Sequence, residues 1–164
     1  MAATRDRSLT EWVVLGLLAE VPAHGFALAR LLARGGEVGR VWAASRPLVY
    51  RAIDQLAADG LIEPVRTESG AGPPRTVHKA TGAGRRSLRR WLGHPVAHPR
   101  EVRAELLVKL LLLERAGKPT APLLQAQRDE FAGLFEATEG SAADDSVSRW
   151  RAEQATAIER FLQG

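Results

Sequence analysis

The spacing of apolar residues predicts helices in both halves of this chain, with two short strands between them. Ser8 and Glu11 have the spacing of a helix-capping box and stand just before the apolar stretch WVVLGLLAEV, which predicts a first helix over about residues 9–20. Because proline cannot continue a helix, Pro22 ends this segment. A second helix is expected over about residues 25–33, followed by a glycine-rich turn.

A third helix is expected within the stretch LVYRAIDQLAADGLI. Val49, Ile53 and Leu56 recur at helical spacing, and Gly60 is of the residue type that most often ends a helix. A serine or arginine caps the start of this helix, and a proline occupies its first turn, where the missing N–H costs little. At 100° per residue, the side opposite the apolar face carries Pro47, Arg51, Asp54 and Gln55, with Tyr50 on a flank.

Two segments of alternating character predict a β-hairpin after the third helix. Residues 61–67 and 75–81 alternate between apolar and polar side chains, and residues 68–74, ESGAGPP, supply a loop rich in glycine and proline. Thr81 is expected to cap a fourth helix, residues 82–92. Three helices, a hairpin and another helix predict a mainly α protein with an N-terminal winged helix-turn-helix.

A change of composition after the fourth helix predicts a second domain. Residues 93–99, GHPVAHP, contain two prolines and no periodicity, which is typical of a linker. Three amphipathic segments follow, the first of which is apolar on nearly all sides from Leu106 to Leu113. We therefore expect a winged domain over residues 1–92 and an antiparallel helical dimerisation domain over residues 100–164.

The helical domain is expected to need a second copy of the chain to cover its apolar surface. A segment of this size has a high surface-to-volume ratio and buries about 60% of its chain surface at best. Pairing with a second copy would take the remaining large apolar side chains out of water. The residues expected at this dimer interface are Leu106, Leu110, Leu113, Trp150, Ile158 and Phe161.

The polar face of the third helix is expected to contact DNA. In a helix-turn-helix, the last helix of the motif enters the major groove, where arginine suits guanine and glutamine suits adenine. Tyr50, on the flank, is placed to meet a phosphate, and basic residues of the hairpin can reach phosphates or the minor groove. The residues expected to bind DNA are Ser45, Arg46, Pro47, Tyr50, Arg51, Gln55, Arg66, Arg75 and Lys79.

The distribution of charge agrees with this interpretation without deciding it. Residues 1–92 contain 14 Lys and Arg against 8 Asp and Glu, whereas residues 93–164 contain 9 against 11. A basic segment beside a mildly acidic one is typical of a nucleic-acid reader with an attached partner-binding module. An ordinary surface helix is also polar on its outer face, so a winged-helix module that binds another protein remains the alternative.

The residue types and their spacing do not indicate an enzyme, a metal site or a cofactor. The chain has no cysteine, and although His94 and His98 have the spacing of helical metal ligands, Pro95 separates them within the expected linker. His24 is expected to cap or pack at the second helix. No nucleophile-elbow motif and no dinucleotide-binding fingerprint are present.

The longest apolar run, residues 110–113, is too short for a membrane-spanning helix. A bilayer crossing needs roughly 20 apolar residues, and polar helix-starting residues come too early in the chain for a signal peptide. A cytoplasmic protein is the expectation.

Four segments together resemble the PadR family of bacterial transcriptional regulators. LGLLAEVPAHGFALARLL resembles the first two helices of that family, and LVYRAIDQLAADGLI is similar to its recognition helix. GAGPPRTVHKATGAGRRSL resembles its wing, and AELLVKLLL is similar to the start of its C-terminal helices. The chain departs from the family pattern at His78, where an aromatic residue is frequent.

This resemblance implies a homodimeric winged-helix repressor whose C-terminal helices form the dimer interface. Regulators of this kind bind palindromic operators in double-stranded DNA, and a small, frequently aromatic, effector often releases them. The function expected of the chain is therefore that of a sequence-specific, ligand-responsive transcriptional regulator.

Overall fold

The computed structural model of the protein describes residues 6–69, 72–139 and 145–163. The chain divides into two compact units, Met1–Trp91 and Leu92–Gly164. Each unit is described by itself below. Two residues of the predicted hairpin loop, Gly70 and Ala71, lie outside the described residues.

The first unit contains the elements of a winged helix-turn-helix in the predicted order. Its helices and strands are α1 (Leu9–Glu20), β1 (Ala23–His24), α2 (Gly25–Leu31), α3 (Arg46–Ala58), β2 (Ile62–Glu68), β3 (Arg75–Ala80) and α4 (Gly82–Gly93). The predicted α1, α3, hairpin and α4 are thereby confirmed, with ends that differ by at most two residues.

Hydrogen bonds at the ends of α1 and α2 explain where these two helices begin and end. The Ser8 hydroxyl accepts the Glu11 amide at 3.3 Å, as the capping-box spacing predicts. The ring Nδ1 of His24 accepts the Ala27 amide at 3.1 Å and so caps α2, which confirms the role expected of this histidine. Helix α2 ends two residues before the predicted Ala33, because the following turn folds back and donates two amides to the carbonyl of Leu31.

The sheet of the first unit has three antiparallel strands in the order β1-β3-β2. Strands β2 and β3 form the predicted hairpin, with a register shift between Pro64 and Arg66. Strand β1 was not predicted, because its two residues are too few to show an alternating pattern. It pairs with β3 through Ala23 opposite His78 and His24 opposite Val77, which ties the start of α2 to the hairpin.

The core of the first unit lies between α1, α3 and the sheet. Helix α1 is buried on most of its surface, and α3 contributes its apolar face to the same core. Gly60 adopts a φ of +68°, a left-handed conformation that favours glycine, and this turns the chain from α3 into β2. The buried side chains include Val13, Val14, Leu17, Leu18, Leu28, Val49, Ile53, Leu56, Ile62 and Val77.

The second unit consists of helical segments. These are α5 (Pro99–Glu101), a π-helical turn (Val102–Leu106), α6 (Leu107–Arg115), α7 (Ala121–Glu139) and α8 (Ser146–Gln163). The first of the three predicted helices is therefore interrupted by a π-turn. The carboxylate of Asp145 caps α8 by accepting the amides of Val147 and Ser148 at 2.8 and 2.9 Å.

The burial of apolar residues in the second unit corrects the argument for a dimer. Leu106, Leu110, Leu113 and Ile158 are all buried by residues of the same chain. They need no second copy to cover them, because the helical segments of one chain already enclose them. Trp150 and Phe161 differ, since they are 66% and 45% exposed. The role of all six residues at an interface stays a prediction, and only these last two have surface available for it.

Lys109, within the apolar run of α6, is almost completely buried. Its ammonium group lies 2.8 Å from the carbonyl oxygen of His94 and 2.8 Å from a carboxylate oxygen of Glu105. A buried charge is tolerated only when it is paired and hydrogen-bonded, and both conditions are met here. The apolar run can therefore be enclosed on nearly all sides despite this lysine.

Candidate nucleic-acid interface

The two faces of α3 differ in exposure as the sequence predicts. Val49, Ala52, Ile53 and Leu56 are buried, so this side anchors the helix in the core. The opposite side is exposed over Pro47, Arg51 and Asp54, and Gln55 is half-buried at its edge. A side-chain surface of this kind, on the last helix of a helix-turn-helix, is the one that enters the major groove.

The start of α3 places a cation between two aromatic rings. Ser45 is the residue preceding the helix, as predicted, although its side chain makes no capping hydrogen bond. The guanidinium of Arg46 lies 5.4 Å from the ring centre of Phe26 and 5.7 Å from that of Tyr50. Both distances lie within the range of cation–π attraction.

Tyr50 is partly exposed on the flank of α3, and its ring packs against the start of α2. A Cβ atom at Gly25 would lie 2.8 Å from ring atom Cε1 of Tyr50, closer than non-bonded carbons approach. Glycine at this position therefore leaves the space that the tyrosine ring occupies. The side chain is fixed on one side by the protein and reaches solvent on the other.

Gln55 is held by a short chain of polar contacts. Its amide nitrogen donates to Asp59 at 3.0 Å, and Asp59 also accepts from the Arg7 guanidinium at 2.9 Å. Two of these three residues belong to α3 and its end, and the third precedes α1. The glutamine side chain is thereby oriented at the edge of the exposed face.

The predicted basic residues of the hairpin fall into two groups. Arg66 forms an ion pair with Glu68 at 2.7 Å, and Lys79 forms one with Glu63 at 3.2 Å. Arg75 instead lies with its guanidinium 4.8 Å from the ring centre of Phe26. Within residues 6–69, 72–139 and 145–163, the structure shows no carboxylate paired with Arg46, Arg51 or Arg75. These three cations remain available to phosphates or bases.

A groove beside Phe26 adds two cations that the sequence pattern did not identify. The groove has a volume of about 580 Å³, and its lining contains Arg30 and Arg34 as well as Arg46. Its apolar walls come from the alanines of α2 and of the segment before α3. No acidic residue belongs to this lining in the described part of the chain, so the groove is suited to an anionic group. Spacing alone could not reveal it, because the turn before α3 brings these arginines together.

His78 lies on β3 between the two neighbouring strands. Its ring Nδ1 is buried and has no hydrogen-bond partner among the described residues. Burial lowers the pKa of His78 below its ordinary value of 6.5, while the negative charge of Asp54 acts in the opposite direction. The neutral imidazole is therefore the form that the folded protein favours.

The described residues bear on metal and membrane sites as follows. No group of three or more histidine or acidic side chains is placed to hold a metal ion within residues 6–69, 72–139 and 145–163. In the same part of the chain, no helix combines the length and apolar character needed to cross a bilayer.

The sequence of the first unit matches a known family. Residues 14–90, which run from within α1 to within α4, match the model of the Transcriptional regulator PadR-like family. The chain belongs to the PadR family. This family consists of transcriptional regulators and not of enzymes. No curated protein matches the sequence.

Solved structures with the same fold come from two bacteria. Bacillus subtilis PadR in complex with operator DNA is 17% identical, with a TM-score of 0.52 and coverage of 95% of this chain and 94% of that chain. Bacillus subtilis PadR in complex with p-coumaric acid is 16% identical, with a TM-score of 0.49 and coverage of 95% of each chain. The protein smu.1604c from Streptococcus mutans UA159 is 16% identical, with a TM-score of 0.47 and coverage of 93% and 95%. The first of these shows that this PadR-family chain has the PadR fold.

Proposed function

We propose that the protein is a homodimeric repressor that binds a palindromic operator and releases it when a small effector binds. The observation that carries this proposal is the set of unpaired guanidinium groups of Arg46, Arg51 and Arg75 around the exposed face of α3. Double-stranded DNA is the partner that such a helix and its neighbouring hairpin fit, because cations neutralise phosphates and arginine pairs with guanine.

Each part of the surface has its own role in this proposal. Arg51, on the outer side of α3, would donate two hydrogen bonds to a guanine in the major groove. Ser45, Pro47 and Tyr50 would lie along the sugar–phosphate backbone and fix the orientation of the helix. Arg75 would contact a phosphate or the minor groove from the hairpin, with Arg66 and Lys79 contributing once their ion pairs open.

The proposed domain boundaries assign dimerisation to the second unit. Residues 1–92 would bind DNA, residues 93–99 would connect, and residues 100–164 would pair with a second copy. Val147, Trp150 and Phe161 support this assignment, because they are 58%, 66% and 45% exposed and lie within an arc of about 60° on α8. Two-fold symmetry would then set two α3 helices about 34–36 Å apart, one turn of DNA.

The effector belongs to the proposal on the strength of the family resemblance. A small aromatic compound would bind the repressor better in its DNA-free form and so shift the population away from the operator. The operator complex of Bacillus subtilis PadR supports the DNA part of the proposal. A panel of aromatic carboxylic acids added to the preformed operator complex would test release.

Operator footprinting on the DNA upstream of the protein's own gene tests the proposal directly. We expect protection of an inverted repeat, and binding to random duplex that weakens steeply as salt rises. If no site were protected and binding to random duplex did not depend on salt, the protein would instead be a winged-helix module that binds another protein.

A further inference from the structure

The ring of Phe26 lies between two arginines that come from different parts of the first unit. Arg46 is the first residue of α3 and lies 5.4 Å from the ring centre. Arg75 is the first residue of β3 and lies 4.8 Å from the same centre. One aromatic side chain therefore contacts the cation at the start of the helix and the cation at the start of the strand after the hairpin loop.

The backbone around Phe26 is fixed by contacts to both neighbours. His24 pairs with Val77 of β3 and also caps α2 through its ring nitrogen. Gly25, the next residue, approaches the ring of Tyr50 so closely that a Cβ atom would not fit. Phe26 follows these two anchors directly, so its ring has a set position relative to both α3 and the hairpin.

Two guanidinium groups near one another would ordinarily repel and spread into solvent. The negative face of an aromatic ring attracts each of them and lowers the number of rotamers that their long side chains visit. Neither arginine is paired with a carboxylate among the described residues, so the ring is the group that orients both. Side chains held in this way lose less conformational entropy when they bind an anion.

We propose that Phe26 is a positioning residue that holds Arg46 and Arg75 ready to contact DNA together, and so couples the hairpin to α3. The proposal rests on the proposed function, because the two cations need a polyanion as their common partner. It deepens that function by predicting that the hairpin and the start of α3 bind as one unit. Losing either arginine should then weaken the contribution of the other.

The test compares Phe26→Leu with Phe26→Trp in the full-length protein. Leucine keeps an apolar side chain without a ring face, whereas tryptophan supplies the stronger cation–π partner. With operator DNA, we expect Phe26→Leu to weaken binding by about 5- to 20-fold and Phe26→Trp to stay within about 2-fold of the wild type. Thermal unfolding of each variant serves as a check that the fold is intact.

A double-mutant cycle separates positioning from simple packing. In the wild-type background, Arg46→Ala and Arg75→Ala should each weaken operator binding, and the double variant should lose less than the product of the two effects. In the Phe26→Leu background, this non-additivity should disappear. Independent effects of the two arginines in both backgrounds would overturn the proposal, even if Phe26→Leu itself failed to fold.

NMR of the DNA-free protein provides a measurement that does not depend on DNA binding. The side-chain Nε–Hε resonances of Arg46 and Arg75 should move when Phe26→Leu removes the ring, while that of Arg51 should not. If the resonances move but the wild type binds no operator, the proposed function is wrong although the ring contact exists. If the wild type binds and neither resonance moves, the inference about Phe26 is wrong.

Discussion

The side-chain amide of Gln127 holds both backbone polar groups of Val96. Its oxygen accepts the Val96 amide at 2.7 Å, and its nitrogen donates to the Val96 carbonyl at 2.9 Å. Gln127 is completely buried, and Val96 is also buried although it lies in a segment with no regular structure. Helix α7 thus supplies the hydrogen bonds that a strand partner would otherwise provide.

Replacing this glutamine should destabilise the protein more than its size suggests. Gln127→Leu would leave a buried N–H and a buried C=O without partners, at about 1–3 kcal/mol each. Chemical denaturation should show this loss of unfolding free energy. Gln125→Leu on the exposed side of α7 is the matched control and should change it by less than about 0.5 kcal/mol. Equal effects at the two positions would contradict the assignment.

Arg51 and Tyr50 should affect DNA binding in different ways. Arg51→Ala removes a base contact, so it should cost about 1–3 kcal/mol on the operator and relax the preference at one base pair. Tyr50→Phe removes one hydroxyl contact to a phosphate, so it should weaken operator and random duplex to a similar extent. Fluorescence anisotropy with both DNAs, and with operators mutated at single positions, would measure the two ratios. Unchanged discrimination in Arg51→Ala would exclude Arg51 as the base reader.

Two arginines of the hairpin provide a matched pair. Arg75 has no carboxylate partner among the described residues, whereas Arg66 is bound to Glu68. Arg75→Ala should therefore lower operator affinity and reduce the slope of log K against log salt by about 1, the effect of one phosphate contact. Arg66→Ala should reduce both by less, because its ion pair must open before it can reach DNA. A salt titration from about 0.05 to 0.2 M would decide the order.

His78 should make the folded protein sensitive to mild acid. Its pKa is lowered by burial, so below about pH 6.5 the unfolded chain binds a proton that the folded protein refuses. The contribution of this residue to stability is fully present above that pH and is lost as the pH falls towards the lower, folded-state pKa. His78→Phe places the aromatic residue that is frequent in the family and removes the titration. Between about pH 7 and 5, its melting temperature should fall less steeply than that of the wild type.

Local sequence patterns were sufficient for much of the first unit. The first helix runs from Leu9 to Glu20 as predicted, because the Ser8 cap and the apolar run that follows are both local features. The exposed side of α3 was likewise predictable from helical periodicity. The cluster around Phe26 was not, because Phe26, Arg46 and Arg75 are far apart in the chain and meet only through β1, which has no pattern of its own.

The second unit shows a different limit of sequence patterns. An apolar residue on a helix is predicted to be covered, but periodicity does not say whether its own chain or a second copy covers it. Leu106, Leu110, Leu113 and Ile158 were assigned to the interface for that reason and are buried by their own chain. The π-turn of residues 102–106 was also missed, since it leaves the apolar character of the segment unchanged.

The exposed apolar side of α8 leads to a prediction about assembly. Trp150 and Phe161 remain in solvent in the single chain, and burying each in a dimer would gain about 1.5–3 kcal/mol. Trp150→Asp and Phe161→Asp should therefore shift a dimer towards monomer at micromolar concentration. Operator affinity should fall with it, because two half-sites are then no longer bound by one particle.

Sedimentation velocity and operator binding on the same samples would measure both effects. Thr156→Asp is the control, because Thr156 is exposed on the opposite side of α8, about 180° from Val147. We expect this control to remain dimeric and to bind as the wild type does. A wild-type protein that stays monomeric at micromolar concentration and still binds its operator tightly would show that α8 faces something other than a second copy. Dissociation by Thr156→Asp as readily as by Trp150→Asp would place the interface on the other side of the helix.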